Sequence, residues 1–155
     1  MKETHENLCT CMLGDNSVFN FLDAENLGDL CPFFQCMTIS AGATLWNEGD
    51  SCDYLAFITS GRIEVKKQTD FEGKHVVVGV YNQGAIVGAL CVIDDSPRAV
   101  TAIALEDTSL AVLSRENFEK LVNEQPEMGA KLMKGMLLSL SIRLRKSFER
   151  LSKIF

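Results

Sequence analysis

Residues 39–65 read ISAGATLWNEGDSCDYLAFITSGRIEV, and this stretch sets the character of the middle of the chain. Short runs rich in β-branched and aromatic residues are interrupted by glycines. The same pattern holds from about residue 38 to residue 113, with glycines at positions 42, 49, 61, 73 and 84. Strands repeated at about this interval are typical of a sandwich or barrel.

Five runs within this region predict strands. They are YLAFIT (54–59), RIEVKK (62–67), VVVGVY (76–81), AVTAIAL (99–105) and SLAVLS (109–114). Ser60-Gly61 predicts a tight reversal between the first two.

Helical patterns lie on both sides of the strands. Before them, apolar residues from Val18 to Leu30 suit short helices, with an N-cap candidate at Asp23. After them, Ser114 is an N-cap candidate for RENFEKLVNEQ, and Pro126 suits the first turn of a last helix that runs to the chain end. We therefore expect a mainly β fold with flanking helices and one long C-terminal helix.

The last helix carries an apolar row with coiled-coil spacing. Its members are Met133, Leu137, Leu140, Leu144, Leu151 and Ile154. Ser147 interrupts the row, and Phe148 beside it can compensate. Two interpretations remain open. The helix packs on its own domain, or it pairs with a second copy in a homodimer, which its length of about 42 Å favours.

Composition and charge indicate one soluble globular domain. The chain has 155 residues, of which 46% are apolar and 23% charged. We divide it into a tail (1–16), a central domain (17–125) and the long helix (126–155).

The net charge is −6. Residues 127–155 carry seven basic and two acidic groups, or +5, which leaves −11 for the rest. The acidic residues 1–126 repel phosphates, which disfavours nucleic-acid binding. The basic face of the last helix is expected to be solvated. With no apolar span or export signal, we predict a cytoplasmic protein without membrane contact.

The six cysteines predict reduced thiols, because nothing in the sequence indicates export. A less favoured alternative is a metal or redox module built on Cys9 and Cys11. Their spacing does not match the paired CxxC motifs of structural zinc sites, so no metal site is predicted.

Residues 87–100, VGALCVIDDSPRAV, place a single arginine, Arg98, behind two acids at the end of an apolar run. A guanidinium has five N–H donors in a fork that suits a phosphate, so Arg98 is a candidate anion-binding residue. The alternative is a local salt bridge to Asp94 or Asp95.

The stretches 39–65 and 81–104 together resemble the cyclic nucleotide-binding domain family, of the kind found in the catabolite activator protein. The first resembles that family's glycine turn, "EGD" corner, aliphatic strand and serine-glycine hairpin; the second resembles its phosphate-binding cassette. The resemblance covers about residues 17–150. It implies an eight-stranded jelly roll with a pocket for cyclic AMP or cyclic GMP.

The resemblance also implies which residues would hold the phosphate. A short helix starting near Gly88 would present the N–H groups of Ala89, Leu90 and Cys91 to the anion, and Gly88 would allow close approach. Arg98 would bind the phosphate from the other side. In the same turn, Pro97 would stiffen the chain and Ala99 would add an N–H donor.

The cassette departs from the family at one position. Ligand-binding members carry a glutamate that accepts a hydrogen bond from the ribose 2′-hydroxyl, and here that residue is Ala89. A hydrogen bond to a charged group contributes about 1.5–3 kcal/mol, so its loss would weaken binding roughly ten- to 150-fold. The pocket could bind a cyclic nucleotide through another acceptor, bind a different small phosphate, or be vestigial.

Two functions of different classes follow. The first is a stand-alone sensor or regulatory domain whose ligand would shift the hinge between the Ser114 and Pro126 helices. The second is a ligand-free dimeric scaffold that binds an unknown protein partner. We expect no enzyme, because no nucleophile has a recognisable base, and no DNA binding, since the chain ends inside the helix. For base preference we can nominate only Val78, Val80, Leu137 and Leu140.

Overall fold

The computed structural model describes residues 17–154 and consists of two facing four-stranded antiparallel sheets with helices at one side. Its strands are β1 (Gln35–Ile39), β2 (Thr44–Trp46), β3 (Tyr54–Ser60), β4 (Ile63–Gln68), β5 (His75–Tyr81), β6 (Ile86–Val87), β7 (Thr101–Ala104) and β8 (Thr108–Ser114). One sheet has the order β1-β8-β3-β6 and the other β2-β7-β4-β5. The predicted jelly roll is therefore confirmed.

Four α-helices accompany the strands: α1 (Ala24–Leu30), α2 (Ala89–Asp94), α3 (Arg115–Glu124) and α4 (Pro126–Ser152). Two 3₁₀ turns, Ser17–Phe19 and Cys31–Phe33, flank α1. The predicted tail (1–16) lies outside the described residues. Among those described, no helix has both the length and the hydropathy to cross a bilayer.

The five predicted strands are confirmed to within a few residues at their ends, but the reversal at Ser60-Gly61 is not a hairpin. β3 pairs with β8 and β6, whereas β4 pairs with β5 and β7, so this turn carries the chain from one sheet to the other. Gly61 has a φ of 90°, and a Cβ there would lie 2.4 Å from the side chain of Thr108. The glycine is needed because the β7–β8 turn packs directly against it.

β3 separates two hydrophobic cores. Ala56 and Ile58 face the opposite sheet, while Leu55 and Phe57 face the helices, and all four are buried. A strand covered on both faces has a continuous apolar run instead of an alternating one. This explains the letters LAFI at 55–58.

The helix starts follow their caps. Ser114 Oγ accepts a hydrogen bond from the Asn117 N–H at the start of α3, and Asp23 accepts one from Asn26 at the start of α1. Pro126 is the first residue of α4, as predicted. The first 3₁₀ turn lies close against α4, since a Cβ on Gly135 would overlap the Val18 carbonyl.

α4 is buried on one face only. Met128, Leu132 and Met136 pack into the helix-side core. Met133, Leu137, Leu144, Leu151 and Ile154 of the predicted row are exposed, as is Phe148. Packing among residues 17–154 therefore does not cover the exposed row.

Candidate anion-binding site

A cavity of about 420 Å³ lies between the second sheet, α2 and α4. Its lining includes Trp46, Val65, Val78, Tyr81, Val87, Gly88, Ala89, Leu90, Cys91, Arg98, Ala99, Val100, Leu140, Arg143, Leu144 and Ser147. Most of these side chains are apolar, and the charged ones are both arginines. An apolar hollow with a few polar groups is the usual form of a small-molecule site.

The backbone of Arg98 is held by the turn between β2 and β3. Its N–H donates to the Asp50 carbonyl at 2.8 Å, and its own carbonyl accepts from the Gly49 N–H at 2.8 Å. The turn is closed by the Asn47 N–H, which donates to the Asp50 carboxylate at 2.9 Å, and Gly49 has a φ of 88°. The letters NEGD at 47–50 are therefore the segment that positions Arg98.

The side chain of Arg98 is only 3% exposed and lies between two aromatic rings. Its guanidinium carbon is 3.7 Å from the ring centroid of Trp46 and 4.8 Å from that of Tyr54. A cation over an aromatic face is stabilised by the ring quadrupole. Desolvation by burial lowers the pKa of Arg98 and raises that of Tyr54. Tyr54, Asp53 and Asp50 raise the pKa of Arg98 in opposition, whereas the positive charge of Arg115 lowers it further.

The alternative of a loop salt bridge is wrong. Asp94 accepts hydrogen bonds from the N–H and hydroxyl of Ser96, and Asp95 pairs with Arg115. In the part of the chain that the structure describes, no carboxylate lies within salt-bridge distance of Arg98.

Two buried polar side-chain atoms of residues 17–154 have no hydrogen-bond partner, and both belong to this stack: Nε of Arg98 and Nε1 of Trp46. Buried polar groups in folded proteins nearly always have partners, and the exceptions concentrate at sites of function. The arginine is also a donor without a counter-ion, which is the arrangement an anion would complete.

Gly88 lies directly beneath the guanidinium. It has a φ of 76°, and a Cβ there would be 2.4 Å from Arg98 Nη1 and 2.9 Å from the Trp46 ring. Only glycine fits both the left-handed backbone and this space. The helix that follows, α2, starts at Ala89 as expected, and Gly88 leaves its first turn without a side-chain cap.

Six of the seven residues that the sequence nominates for the site line the cavity: Gly88, Ala89, Leu90, Cys91, Arg98 and Ala99. Pro97 is exposed and lies outside the lining, next to Arg98. The Ala99 carbonyl accepts a hydrogen bond from Lys67 Nζ at 3.1 Å, which ties this turn to β4.

No aspartate or glutamate of the described chain lines the cavity. Ala89, at the position where the family has glutamate, is 5% exposed and faces the hollow. The structure therefore supplies no other acidic acceptor for a ribose hydroxyl.

Sequence reasoning missed a second arginine of the cavity, Arg143 on α4. Its guanidinium carbon is 4.0 Å from the ring centroid of Tyr81, and Nη2 donates to the Ile86 carbonyl. Burial lowers the pKa of Arg143. The sequence predicts a solvated basic face for this part of α4, because spacing alone does not show that the helix turns position 143 toward the roll.

Two of the four residues nominated for base preference line the cavity. Val78 and Leu140 line it, whereas Val80 and Leu137 do not. In the β4–β5 pair, Val65 lies opposite Gly79 and Lys66 opposite Val77, which leaves Val78 as the extra residue of a β-bulge. A bulge changes the alternation of side chains along a strand, and no residue pattern in β5 indicates it.

The prediction of reduced thiols is wrong for three of the described cysteines, Cys31, Cys52 and Cys91, each of which is disulfide-bonded. Cys52 and Cys91 form a disulfide, with their Cα atoms 5.8 Å apart and 39 residues between them in sequence. They approach because β3 and α2 are neighbours in the fold, a long-range contact that cysteine spacing does not reveal. Cys36 is free and exposed, and Cys9 and Cys11 lie outside the described residues. Within residues 17–154 there is no cluster of three acidic, histidine or cysteine side chains that could hold a metal.

Comparison with known proteins places the chain in a family. The model of the family described as "Cyclic nucleotide-binding domain" matches residues 36–125, more than half of the chain. The chain belongs to this family. A solved cyclic nucleotide-binding domain from Methylobacillus flagellatus KT superposes with a TM-score of 0.84 at 28% identity, covering 99% of this chain and 85% of that one.

Curated relatives match this chain over a small part of their own length. Lysophospholipase nte1 of Aspergillus oryzae is 40% identical over 89 residues, which are 57% of this chain and 6% of the fungal protein. The cAMP-dependent protein kinase regulatory subunit of Eremothecium gossypii is 30% identical over 110 residues, 71% of this chain and 23% of that protein. The chain thus spans a small part of the relatives it matches.

Proposed function

We propose that this chain is a sensor or regulatory domain that binds a cyclic nucleotide or another small phosphate. The phosphate would lie against Arg98 and the N–H groups of Ala89, Leu90 and Cys91, with Gly88 beneath it. Pro97 would stiffen the turn, and the Ala99 N–H would add a donor.

One observation carries this proposal: Arg98 is 97% buried beside a cavity, without a carboxylate partner and with an unsatisfied Nε. A buried cation is costly unless an anion or aromatic face compensates it. Trp46 and Tyr54 compensate part of that cost and leave the N–H donors available. A phosphate forms short, charge-assisted hydrogen bonds with such a fork.

A cyclic nucleotide is the first ligand to test, since one relative is named as a cAMP-dependent kinase regulatory subunit. Ala89 makes a ribose contact weaker than in members with glutamate, by roughly ten- to 150-fold. A small phosphate without a ribose loses nothing at this position. The proposal therefore includes both classes.

α4 would transmit the binding event. Leu140, Arg143, Leu144 and Ser147 of α4 line the cavity, so a ligand there touches the helix directly. A ligand shifts the angle between α3 and α4 only to the extent that it binds one hinge state better. The exposed row at Leu137, Leu144 and Leu151 would pair two copies along α4.

Titration calorimetry tests the proposal, with cyclic AMP and cyclic GMP in separate titrations up to millimolar concentration. We expect saturable heat for the unmodified protein and at least tenfold weaker binding for Arg98→Ala. Arg62→Ala is the matched control, because Arg62 is exposed and pairs with Glu106 on the surface. Circular dichroism shows whether each variant is folded.

The second candidate is a ligand-free scaffold, favoured by the exposed apolar row on α4. Dimerisation without any heat from either nucleotide or from inorganic phosphate would support the scaffold and contradict the sensor. Equal affinity of the unmodified protein and Arg98→Ala would also contradict the role given to Arg98.

A further inference from the structure

The Cys52–Cys91 disulfide connects the cavity wall to the start of β3. Cys91 is on α2 and lines the cavity, and Cys52 lies just before β3. Both are buried, at 4% and 6% exposed. The bond therefore fixes the position of the helix that would contact the ligand.

The two cysteines are also held together through their backbones. Arg115 Nη2 donates a hydrogen bond to each of the two backbone carbonyls, at 2.7 Å to Cys52 and 2.9 Å to Cys91. This bridge does not depend on the sulfur–sulfur bond. The thiols would remain neighbours after reduction, so the bond could close again.

Cys91 Sγ lies against the arginine of the site. Arg98 Nη1 is 3.4 Å from this sulfur and points a donor at it. In the disulfide the sulfur is neutral. In the reduced protein it can become a thiolate, which a neighbouring guanidinium stabilises. Arg115, the other cation near this bond, is paired with Asp95 through Nη1, whereas Arg98 has no carboxylate partner among the described residues.

We propose that Cys52 and Cys91 form a redox modification site that controls the anion affinity of the cavity. With the disulfide closed, Arg98 is available to the ligand. With the disulfide open, the Cys91 thiolate pairs with Arg98 and competes with the ligand's phosphate. This inference rests on the proposed function for its consequence, but the thiolate–Arg98 pair can be measured without any ligand.

The chemistry is thiol–disulfide exchange with a small dithiol. One thiolate of the dithiol attacks Cys91 Sγ, which is reached through the cavity, and Cys52 leaves as a thiolate and takes up a proton. The second thiol of the reagent then attacks the reagent sulfur that is bonded to Cys91. This step releases Cys91 as a thiolate and closes the reagent into a ring. Two electrons pass from the dithiol to the protein disulfide, and the dithiol becomes a cyclic disulfide.

Ligand and reductant would exclude each other. A bound anion occupies the cavity through which the dithiol reaches Cys91, and it also binds the oxidised form more tightly. Reduction lowers the affinity for the ligand by a certain free energy. By thermodynamic linkage, bound ligand makes reduction of the disulfide less favourable by the same free energy.

The first experiment measures the Cys91 thiolate in Cys52→Ser, which cannot close the bond. Alkylation by iodoacetamide is followed against pH, with each cysteine peptide resolved by mass spectrometry. We expect the Cys91 midpoint to lie about one unit below the ordinary thiol value of about 8.5. It should return to that value when Arg98→Gln is added. Equal midpoints in the two backgrounds would overturn the inference, whatever the binding data show.

The second experiment titrates cyclic AMP into oxidised protein and into protein reduced with dithiothreitol, at pH 8. Reduction should weaken binding about tenfold, which corresponds to one pKa unit of interaction, and Cys52→Ser should match the reduced protein. At pH 6, below the expected Cys91 midpoint, the thiolate is largely protonated, and we expect the oxidised and reduced forms to bind alike.

The outcomes separate the two proposals. Equal affinity of oxidised and reduced protein at pH 8 contradicts the redox site, as does a tenfold difference that persists at pH 6. If cyclic AMP binds to neither form while the lowered midpoint depends on Arg98, the proposed function fails for this ligand and the thiolate–Arg98 pair stands. Failure of peptide mapping to find the Cys52–Cys91 bond in oxidised protein would also overturn the inference.

Discussion

The guanidinium carbon of Arg98 lies 3.7 Å from the ring centroid of Trp46. The buried polar side-chain atoms of residues 17–154 that have no hydrogen-bond partner belong to these two residues. The indole face takes the position that a carboxylate would have in an ordinary buried ion pair. Because a ring face does not use up N–H donors, the cation is held in place with donors to spare. This pairing is the physical basis of the proposed site.

Replacing Trp46 should damage both stability and binding. Truncation of a buried tryptophan costs about 3–5 kcal/mol, and Trp46→Ala would also leave Arg98 without its main support. Urea denaturation should show this loss, and calorimetry should show weaker binding of cyclic AMP.

Trp46→Phe is the matched control, since it keeps a ring face beneath the guanidinium. We expect it to retain most of the affinity and to cost less stability than Trp46→Ala. Equal loss of binding in both variants would contradict a role for the aromatic face.

Gly88→Ala should strain the backbone and also displace the side chain of Arg98. An alanine Cβ at a positive φ costs about 1–2 kcal/mol, and here it would also lie 2.4 Å from Arg98 Nη1. Gly42→Ala is a close control, because Gly42 has a φ of 80° and open space around it. Both variants should lose stability in urea, and Gly88→Ala alone should lose binding of cyclic AMP. Unchanged binding in Gly88→Ala would argue against the position assigned to the ligand.

Ala89→Glu should strengthen the binding of cyclic AMP. The new carboxylate would face the cavity, and a hydrogen bond to a charged group contributes about 1.5–3 kcal/mol, or roughly ten- to 150-fold in affinity. Calorimetry measures the change, and Ala89→Gln, which lacks the charge, should gain less. No gain in either variant would indicate that the ligand does not place its ribose at this wall.

Acid should weaken the tie between the β2–β3 turn and β4. Lys67 and the Gln68 N–H donate hydrogen bonds to the Glu48 carboxylate, and they lower the pKa of Glu48 below its usual 4.5. A lowered folded-state pKa contributes stability that is present above about pH 4.5 and lost as pH falls through the folded value.

We therefore expect the urea midpoint of the unmodified protein to fall more between pH 6 and pH 3 than that of Glu48→Gln. Glu119→Gln, at an exposed position on α3, is the control and should follow the unmodified protein. Parallel curves for all three proteins would show that Glu48 contributes nothing to acid sensitivity.

The exposed row on α4 should make the protein a dimer. Light scattering at tens of micromolar should give about twice the chain mass of 17.1 kDa, and Leu144→Asp should give the monomer, because a charge at an apolar seam is left unpaired. Ile93→Asp is the matched control, since Ile93 on α2 is 59% exposed and Leu144 is 55% exposed. A monomeric unmodified protein would contradict the dimer.

The strands and caps could be predicted from sequence because their causes are local. Glycines at turns, β-branched runs and the serine before α3 each depend on a few neighbouring residues. Arg98 could be nominated because an arginine in this cassette has a clear chemical use. The sequence also predicts that Arg98 shares a turn with Pro97, but its backbone hydrogen bonds with Gly49 and Asp50 appear only in the fold.

The rest depends on contacts between distant segments. Trp46 and Arg143 lie far apart in sequence and meet at the site. The residues next to them in sequence do not indicate that either one reaches the cavity. Val78 faces the cavity because of a bulge, and Cys52 meets Cys91 because β3 and α2 are adjacent. Such contacts follow from topology, which local spacing does not determine.

The central claim is that the guanidinium of Arg98 binds the anion, and nuclear magnetic resonance of its side-chain N–H groups tests this most directly. The signals are assigned with Arg98→Lys and followed while cyclic AMP, and separately inorganic phosphate, is added. We predict a saturable downfield shift of the Arg98 signals, because donors that lack an acceptor gain one. Signals that stay in place up to millimolar concentrations of both ligands would contradict the claim.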